Sequence, residues 1–175
     1  MKSIKKSRDI TDQSNQLCRL GLTNDNALKT LIDSIGTSYV TAYIQSKSGS
    51  RRKRSASDIT CTDINNLSGS LNSLTTTQLN TISNNDFTSC QTVLGLASNS
   101  WSTNQLSTLA TKAKSVYSNN VASISDSNLI SLNSILIGFS TTDLGNLVFT
   151  STNSIQALGS LNGWSTDQVK LILIF

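Results

Sequence analysis

Glutamate, histidine and proline are absent from this chain, and charged residues make up only 14% of it. Without histidine, the Ser–His and Cys–His pairs of nucleophilic catalysis cannot form within the chain, and without glutamate no paired-Glu acid–base catalyst can form. Most aspartates stand at expected helix starts, for example Asp143 and Asp167, where capping explains them. No glycine-rich phosphate loop occurs. We therefore expect a protein that is not an enzyme and that has no cofactor.

Cysteine is also scarce, and the three cysteines are Cys18, Cys61 and Cys90. None belongs to a C-x-x-C pair and no histidine completes a zinc site, so we expect no metal centre. Cys61 and Cys90 flank two predicted short helices, and a disulfide between them would contribute about 3–4 kcal/mol in the entropy model. The alternative is two separate buried thiols, and the sequence leaves both open. If the disulfide forms, Cys18 stays unpaired.

Positive charge is confined to the first third of the chain. Residues 1–54 contain eleven Lys or Arg and four Asp, whereas residues 55–175 contain three Lys and six Asp. Nucleic-acid binding needs basic side chains on the folded surface that contacts the phosphates. The mildly acidic remainder lacks such a surface, so we expect no nucleic-acid partner.

Long apolar runs are missing as well. No stretch of about 18 apolar residues exists that could span a bilayer, and the basic opening residues are not followed by the apolar core of a signal peptide. The last residues stop just after a helix has begun, without a C-cap. We expect the chain to be a fragment of a longer protein, attached to a membrane only through an anchor outside it.

What the sequence does contain is a recurrent hexapeptide: an apolar residue, Ser or Thr, two free positions, then Gln, Asp or Asn, and a second apolar residue. The clearest copies lie at 101–106 and 164–169. In each, the hydroxyl caps a helix, the Gln reaches back to the cap, and the Trp packs as a hydrophobic staple. Identical flanking residues favour this structural role over a carbohydrate-binding pair of Trp side chains. The residues assigned to it are Trp101, Ser102, Gln105, Leu106, Trp164, Ser165, Gln168 and Val169.

Further copies at 74–79, 124–129 and 139–144 indicate that the chain is built from many short helices. Apolar residues recur at helical spacing throughout, and no alternating run of strand type occurs. Helices this short must pack on their neighbours to be stable. The sequence therefore predicts an all-α fold of short capped helices, stacked as an irregular superhelical array of the armadillo or HEAT type.

The composition divides the chain into four parts. We expect a disordered polar lead over 1–16, a helical segment over 17–46 that stops at Gly36 and resumes near Tyr39, and a flexible basic linker over 47–57. A helical-repeat domain, truncated at its C-terminus, is expected over 58–175.

The linker contains four consecutive basic residues, Arg51, Arg52, Lys53 and Arg54, followed by Ser55. A furin-like proprotein convertase recognises Arg at the first and fourth positions before the cut in an extended, accessible loop. Competing interpretations are a nuclear-localisation or nucleic-acid patch and a solvated charge run. Asn66, followed by Leu67 and Ser68, is the one N-x-S/T sequon and a candidate glycosylation site.

The short capped helices, the segment LGSLNGWSTDQV at 158–169 and the basic site ahead of the repeats resemble the mesothelin/stereocilin/otoancorin family. The resemblance covers roughly residues 55–175. It implies an extracellular, GPI-anchored glycoprotein with superhelical armadillo-like repeats, cut by a convertase between Arg54 and Ser55. It also implies a cell-surface location and adhesion to a cell-surface or matrix protein or glycoprotein. The alternative function is an intracellular helical-repeat scaffold whose residues 51–54 direct nuclear import or bind nucleic acid.

Overall fold

The structure, a computed structural model, describes the backbone of residues 25–48 and 58–172. Side chains are described for residues 33–45 and 58–172. Every regular element in these ranges is a helix, and no strand occurs among them. The all-α prediction is therefore confirmed for the described part of the chain. The predicted lead over 1–16 and the basic residues 51–54 lie outside the described residues.

Nine α-helices and four short 3-10 turns make up the described ranges. The α-helices are α1 Asp25–Ser48, α2 Cys61–Asn66, α3 Thr76–Asn80, α4 Asn84–Gly95, α5 Thr103–Val116, α6 Asp126–Leu132, α7 Thr141–Gly145, α8 Thr152–Gly159 and α9 Thr166–Ile172. The 3-10 turns are Leu71–Ser73, Ala97–Asn99, Val121–Ser123 and Asn133–Gly138.

Helix α1 corrects two boundaries expected from the sequence. We expected Gly36 to stop one helix before a second began near Tyr39, but the backbone stays helical through both positions. It also stays helical through Ser48, inside the range predicted as linker. An interior glycine costs a helix only about 1 kcal/mol relative to alanine, so apolar residues at helical spacing on both sides outweigh it.

The chain divides into two compact units, Met1–Ser38 and Tyr39–Phe175. The described part of the first unit is the beginning of α1. The second unit contains a continuous apolar core to which every helix from α2 to α8 contributes. Because helices of 5 to 14 residues are marginal in water by themselves, this shared core is what stabilises them. Its fully buried side chains include Leu67, Leu79, Phe87, Leu109, Leu129 and Leu132.

Within the second unit, two successive groups of four helices pack in the same way. In the first segment, residues 59–116, α2 packs on α4 and α3 packs on α5. In the second segment, residues 124–172, α6 packs on α8 and α7 packs on α9. The two segments meet where α4 contacts α6 and where α4 and α5 both contact the Asn133–Gly138 turn.

Two glycines permit this close approach between the segments. A Cβ on Gly95, at the end of α4, would lie 2.3 Å from the carbonyl oxygen of Ser131. A Cβ on Gly138 would lie 2.3 Å from the carbonyl oxygen of Leu106. Backbone atoms cannot move aside as a flexible side chain can, so only glycine fits at these two contacts. Gly159 ends α8 as Gly95 ends α4. Apart from its own helix and its chain neighbours, no heavy atom of the described residues lies within 4 Å of the same position.

The pair Gly95 and Gly159 tests the close contact between segments. Gly95→Ala should lower the free energy of unfolding by about 1–3 kcal/mol, because its methyl group overlaps backbone of α6. Gly159→Ala should change it by less than about 1 kcal/mol, in the stabilising direction, because the methyl enters open space at a helical position. Urea unfolding of both variants measures the difference. Equal effects of the two substitutions would contradict the close packing at Gly95.

Candidate functional site

The hexapeptide residues lie at helix starts and form the predicted capping boxes. At the start of α5, Ser102 N donates to Gln105 Oε1 at 2.8 Å, and Gln105 N donates to Ser102 Oγ at 3.4 Å. At the start of α9, Ser165 N donates to Gln168 Oε1 at 2.8 Å, and Gln168 N donates to Ser165 Oγ at 3.3 Å. Two backbone N–H groups of each first turn are thereby satisfied.

Both tryptophans are tied to the helix that precedes them. The indole Nε1 of Trp101 donates to the carbonyl of Leu94 at 2.8 Å, and that of Trp164 donates to the carbonyl of Leu158 at 3.2 Å. Each therefore satisfies a carbonyl near the C-terminal end of a helix, a role that its place in the hexapeptide did not show. The staple partners differ: Leu106 packs against the core, whereas Val169 is 41% exposed.

The capping glutamines have a second role that the sequence analysis missed. The amide Nε2 of Gln105 donates to the carbonyls of Asn72 and Leu74, at 2.8 and 2.7 Å. The Nε2 of Gln168 donates in the same way to the carbonyls of Ile137 and Phe139, at 2.9 and 2.8 Å. Each buried glutamine therefore fastens its own helix to the turn ahead of α3 or α7.

Two helix starts outside the five predicted copies obey the same hexapeptide rule. Thr60 and Asp63 form a capping box at α2, and the Ser83 hydroxyl caps α4 by accepting from the N–H of Asp86. Their flanking apolar residues fit the pattern as well, so the signal was present in the sequence. A search for the rule over the whole chain would have found both.

The structure joins Cys61 and Cys90 in a disulfide between α2 and α4, with their Cα atoms 5.5 Å apart. The sequence had left this pairing open against two separate thiols. The side-chain amide of Asn65 lies 3.5 Å from the Cys90 sulfur and covers the bridge. Cys18 lies outside the described residues.

Asp126 occupies in α6 the position that Cys61 has in α2, and it ties α6 to α8 without a covalent bond. Its carboxylate accepts from Ser154 Oγ at 2.6 Å, and from the backbone N–H and the hydroxyl of Thr150. The hydrogen bonds from Ser154 and Thr150 lower the pKa of the Asp126 carboxyl from its ordinary value. Equivalent helix pairs are therefore held in two ways. A disulfide joins α2 to α4 in the first segment, and hydrogen bonds to the Asp126 carboxylate join α6 to α8 in the second.

The candidate glycosylation site, Asn66, is exposed at the C-terminal end of α2. Its side-chain amide donates to the hydroxyl of Tyr43 at 3.1 Å, and that hydroxyl donates to Asp63 at 2.8 Å. Ser68, which completes the sequon, is also exposed, whereas Leu67 between them is fully buried. The predicted convertase residues Arg51, Arg52, Lys53, Arg54 and Ser55 lie outside the described residues.

A cavity of about 540 Å³ lies where the turn before α5 faces the turn before α9. Trp101, Leu106 and Ile137 form apolar parts of its wall, while Ser107 and Asn162 supply hydroxyl and amide groups. No charged side chain lines it. Such a wall offers neutral hydrogen bonds and apolar contact, without a general acid or base.

No group of three or more Cys, His, Asp or Glu side chains comes together among the described residues in a way that could hold a metal ion. No described helix combines the length and the apolar character that crossing a bilayer requires.

Comparisons of the chain with protein-family models, with curated proteins and with solved structures find no match. The interpretation of its sites therefore depends on its own residues.

Gln105→Glu tests the second role of the capping glutamine. A carboxylate can still close the capping box, but it cannot donate to the carbonyls of Asn72 and Leu74. We expect a loss of about 2–4 kcal/mol in the free energy of unfolding, because a buried charge then faces two unpaired acceptors. Gln78→Glu is the matched control, since Gln78 Oε1 closes the capping box at α3. It should change stability by less than about 0.5 kcal/mol, and a similar loss in both variants would contradict the second role.

The Asp126 cluster predicts a specific dependence of stability on pH. Because the pKa of this carboxyl is lower in the folded state, its contribution is present above the unfolded pKa of about 3.9 and is lost as pH falls through the folded pKa. The melting temperature of the unmodified chain should therefore fall more steeply below about pH 5 than that of Asp126→Asn. Asp167→Asn, at a side chain that is 79% exposed, should keep the steep dependence.

Proposed function

We propose that this chain is part of a non-catalytic extracellular helical-repeat protein of the mesothelin/stereocilin/otoancorin type, which acts in cell–cell or cell–matrix adhesion. The observation that carries the proposal is the disulfide between Cys61 and Cys90. Structural disulfides persist in secreted and cell-surface proteins and are rare in the cytosol, where thiols stay reduced. The exposed sequon at Asn66 fits the same compartment.

The helices from α2 to α9 form two turns of a superhelical array of the armadillo or HEAT type in this proposal. The repeated helix pairings and the matched bonds of Gln105 and Gln168 support it, because both segments then have the same internal packing. Exposed positions between residues 58 and 172 are mostly Ser, Thr and Asn. A neutral hydroxyl-rich surface suits recognition of a protein or glycoprotein on a cell or in the matrix, which is the partner we propose.

Processing is the second part of the proposal. A furin-like convertase cuts between Arg54 and Ser55, just ahead of the described segment that begins at residue 58, and leaves the helical domain intact. Attachment to the cell surface occurs through an anchor outside this chain.

Convertase digestion tests the processing step directly. Incubation of the chain with purified furin should release a product whose N-terminus is Ser55, identified by mass spectrometry. The variant Arg51→Ala with Arg54→Ala removes the two recognised side chains and should stay intact under the same conditions. An uncut unmodified chain would show that the processing step is wrong.

The compartment is tested by expressing the full chain behind a secretory signal and analysing it without reduction. We expect a peptide pair linked through Cys61 and Cys90, and a glycan on Asn66 that Asn66→Gln removes. Reduced thiols in protein isolated from its natural source, together with nuclear import that depends on residues 51–54, would favour the intracellular scaffold instead.

Adhesion itself is measured with coated surfaces. Surfaces carrying the secreted chain should retain more cells than surfaces carrying the variant Cys61→Ser with Cys90→Ser, in which the tie between α2 and α4 is lost. Gly159→Ala, which we expect to leave the fold unchanged, is the control for the effect of a substitution that does not break this tie. Equal retention by uncoated and coated surfaces would contradict the adhesive function.

A further inference from the structure

The second segment covers one face of the first segment, and that face is formed by Gln91, Gly95 and Leu106. Gln91 Nε2 donates to a backbone carbonyl of α6 at 3.0 Å. The carbonyl of Gly95 accepts from Ser134 Oγ at 2.8 Å. The carbonyl of Leu106 lies against Gly138, close enough to exclude any side chain there. Together these contacts form the joint between the two segments.

The second segment has a face of the same construction. Gly159 ends α8 as Gly95 ends α4, and Val169 follows its capping glutamine as Leu106 does. Ile155 stands four residues before Gly159, in the place of Gln91 before Gly95. We call this set of three residues the open face: Ile155, Gly159 and Val169.

The open face is uncovered among the described residues. Ile155 is 38% exposed and Val169 is 41% exposed, whereas Gln91 at the covered face is 3% exposed. Apart from its own helix and its chain neighbours, no described heavy atom lies within 4 Å of the Cβ position of Gly159. Apolar side chains and an accessible glycine thus occupy the positions that, one segment earlier, form the joint.

We propose that the open face is the docking site of a further helical segment of the same kind, one that presents a turn like Asn133–Gly138. The chemistry of this partner follows from the existing joint. It needs a hydroxyl at the position of Ser134 to donate to the carbonyl of Gly159. It also needs a glycine at the position of Gly138, so that its backbone can approach that of Val169. Between the hydroxyl residue and this glycine it needs an apolar residue.

A second copy of the first segment does not meet these requirements. Its counterpart of the Asn133–Gly138 turn is the polar stretch 68–73, which ends in Ser73 where the second segment has Gly138. Because a Cβ at Gly138 would lie 2.3 Å from backbone, a serine there prevents the same approach. Gly69 likewise replaces the hydroxyl donor Ser134.

The proposal rests on the repeat array in the proposed function, but not on secretion, cleavage or adhesion. It concerns packing that any compartment permits. Failure of the convertase or adhesion experiments would leave it standing, and its own failure would not affect them.

The test extends the full chain in register. A second copy of residues 110–172 follows Ile172, because Ile172 and Leu109 hold matching positions four residues after their capping glutamines. The appended copy then supplies the required turn. We expect amide hydrogen exchange in α8 and α9 to slow at least about tenfold and the extended chain to melt in one transition at a higher temperature.

Gly159→Leu is the matched variant in both chains. In the unextended chain it should leave exchange in α8 and α9 unchanged, because the side chain enters open space. In the extended chain it should abolish the added protection. The control extension has Leu at the Gly138 position of the appended copy, and it should not slow amide exchange in α8 and α9.

Three outcomes would overturn the proposal. One is unchanged exchange in α8 and α9 after extension, whether the appended copy is folded or unfolded. Another is an equal effect of Gly159→Leu on amide exchange in the extended and the unextended chain. The third is dimerisation of the unextended chain that Val169→Asp abolishes, measured by light scattering, which would assign the open face to self-association.

Discussion

The helices between residues 58 and 172 depend on one constraint, namely that each is too short to be stable alone. A helix of five residues, such as α3, has no more than one complete turn, so its free N–H groups weigh heavily in its stability. A side-chain oxygen at each start accepts from one of those groups, and the shared apolar core stabilises the helices further. Capping and burial are therefore coupled, because an uncapped start would leave polar groups against the core.

The joint between the segments follows from the same constraint. Short helices offer little area for packing, so close backbone contact at Gly95 and Gly138 must bring the segments together. Within each segment, the buried amides of Gln105 and Gln168 satisfy carbonyls of a neighbouring turn. At these two positions, one glutamine side chain closes a helix start and fastens a neighbouring turn.

The functional features are distributed according to this architecture. The disulfide, the sequon at Asn66 and the polar stretch 68–73 all lie in the first segment, whereas the accessible glycine and exposed apolar residues lie at the end of the second. The first segment is therefore covalently tied, and the second carries exposed residues at the positions that form the joint in the first.

The sequence alone determined the helical class and five of the helix starts, because a cap needs only residues three or four positions apart. Tertiary structure decided what depends on residues some thirty positions away: the carbonyl partners of Gln105, the pairing of Cys61 with Cys90, and the glycine contacts between segments. The expected stop at Gly36 was wrong, because one interior glycine costs a helix only about 1 kcal/mol. Local hydrogen bonds repeat in the sequence as a recognisable pattern, whereas packing partners are set by the arrangement of the whole core.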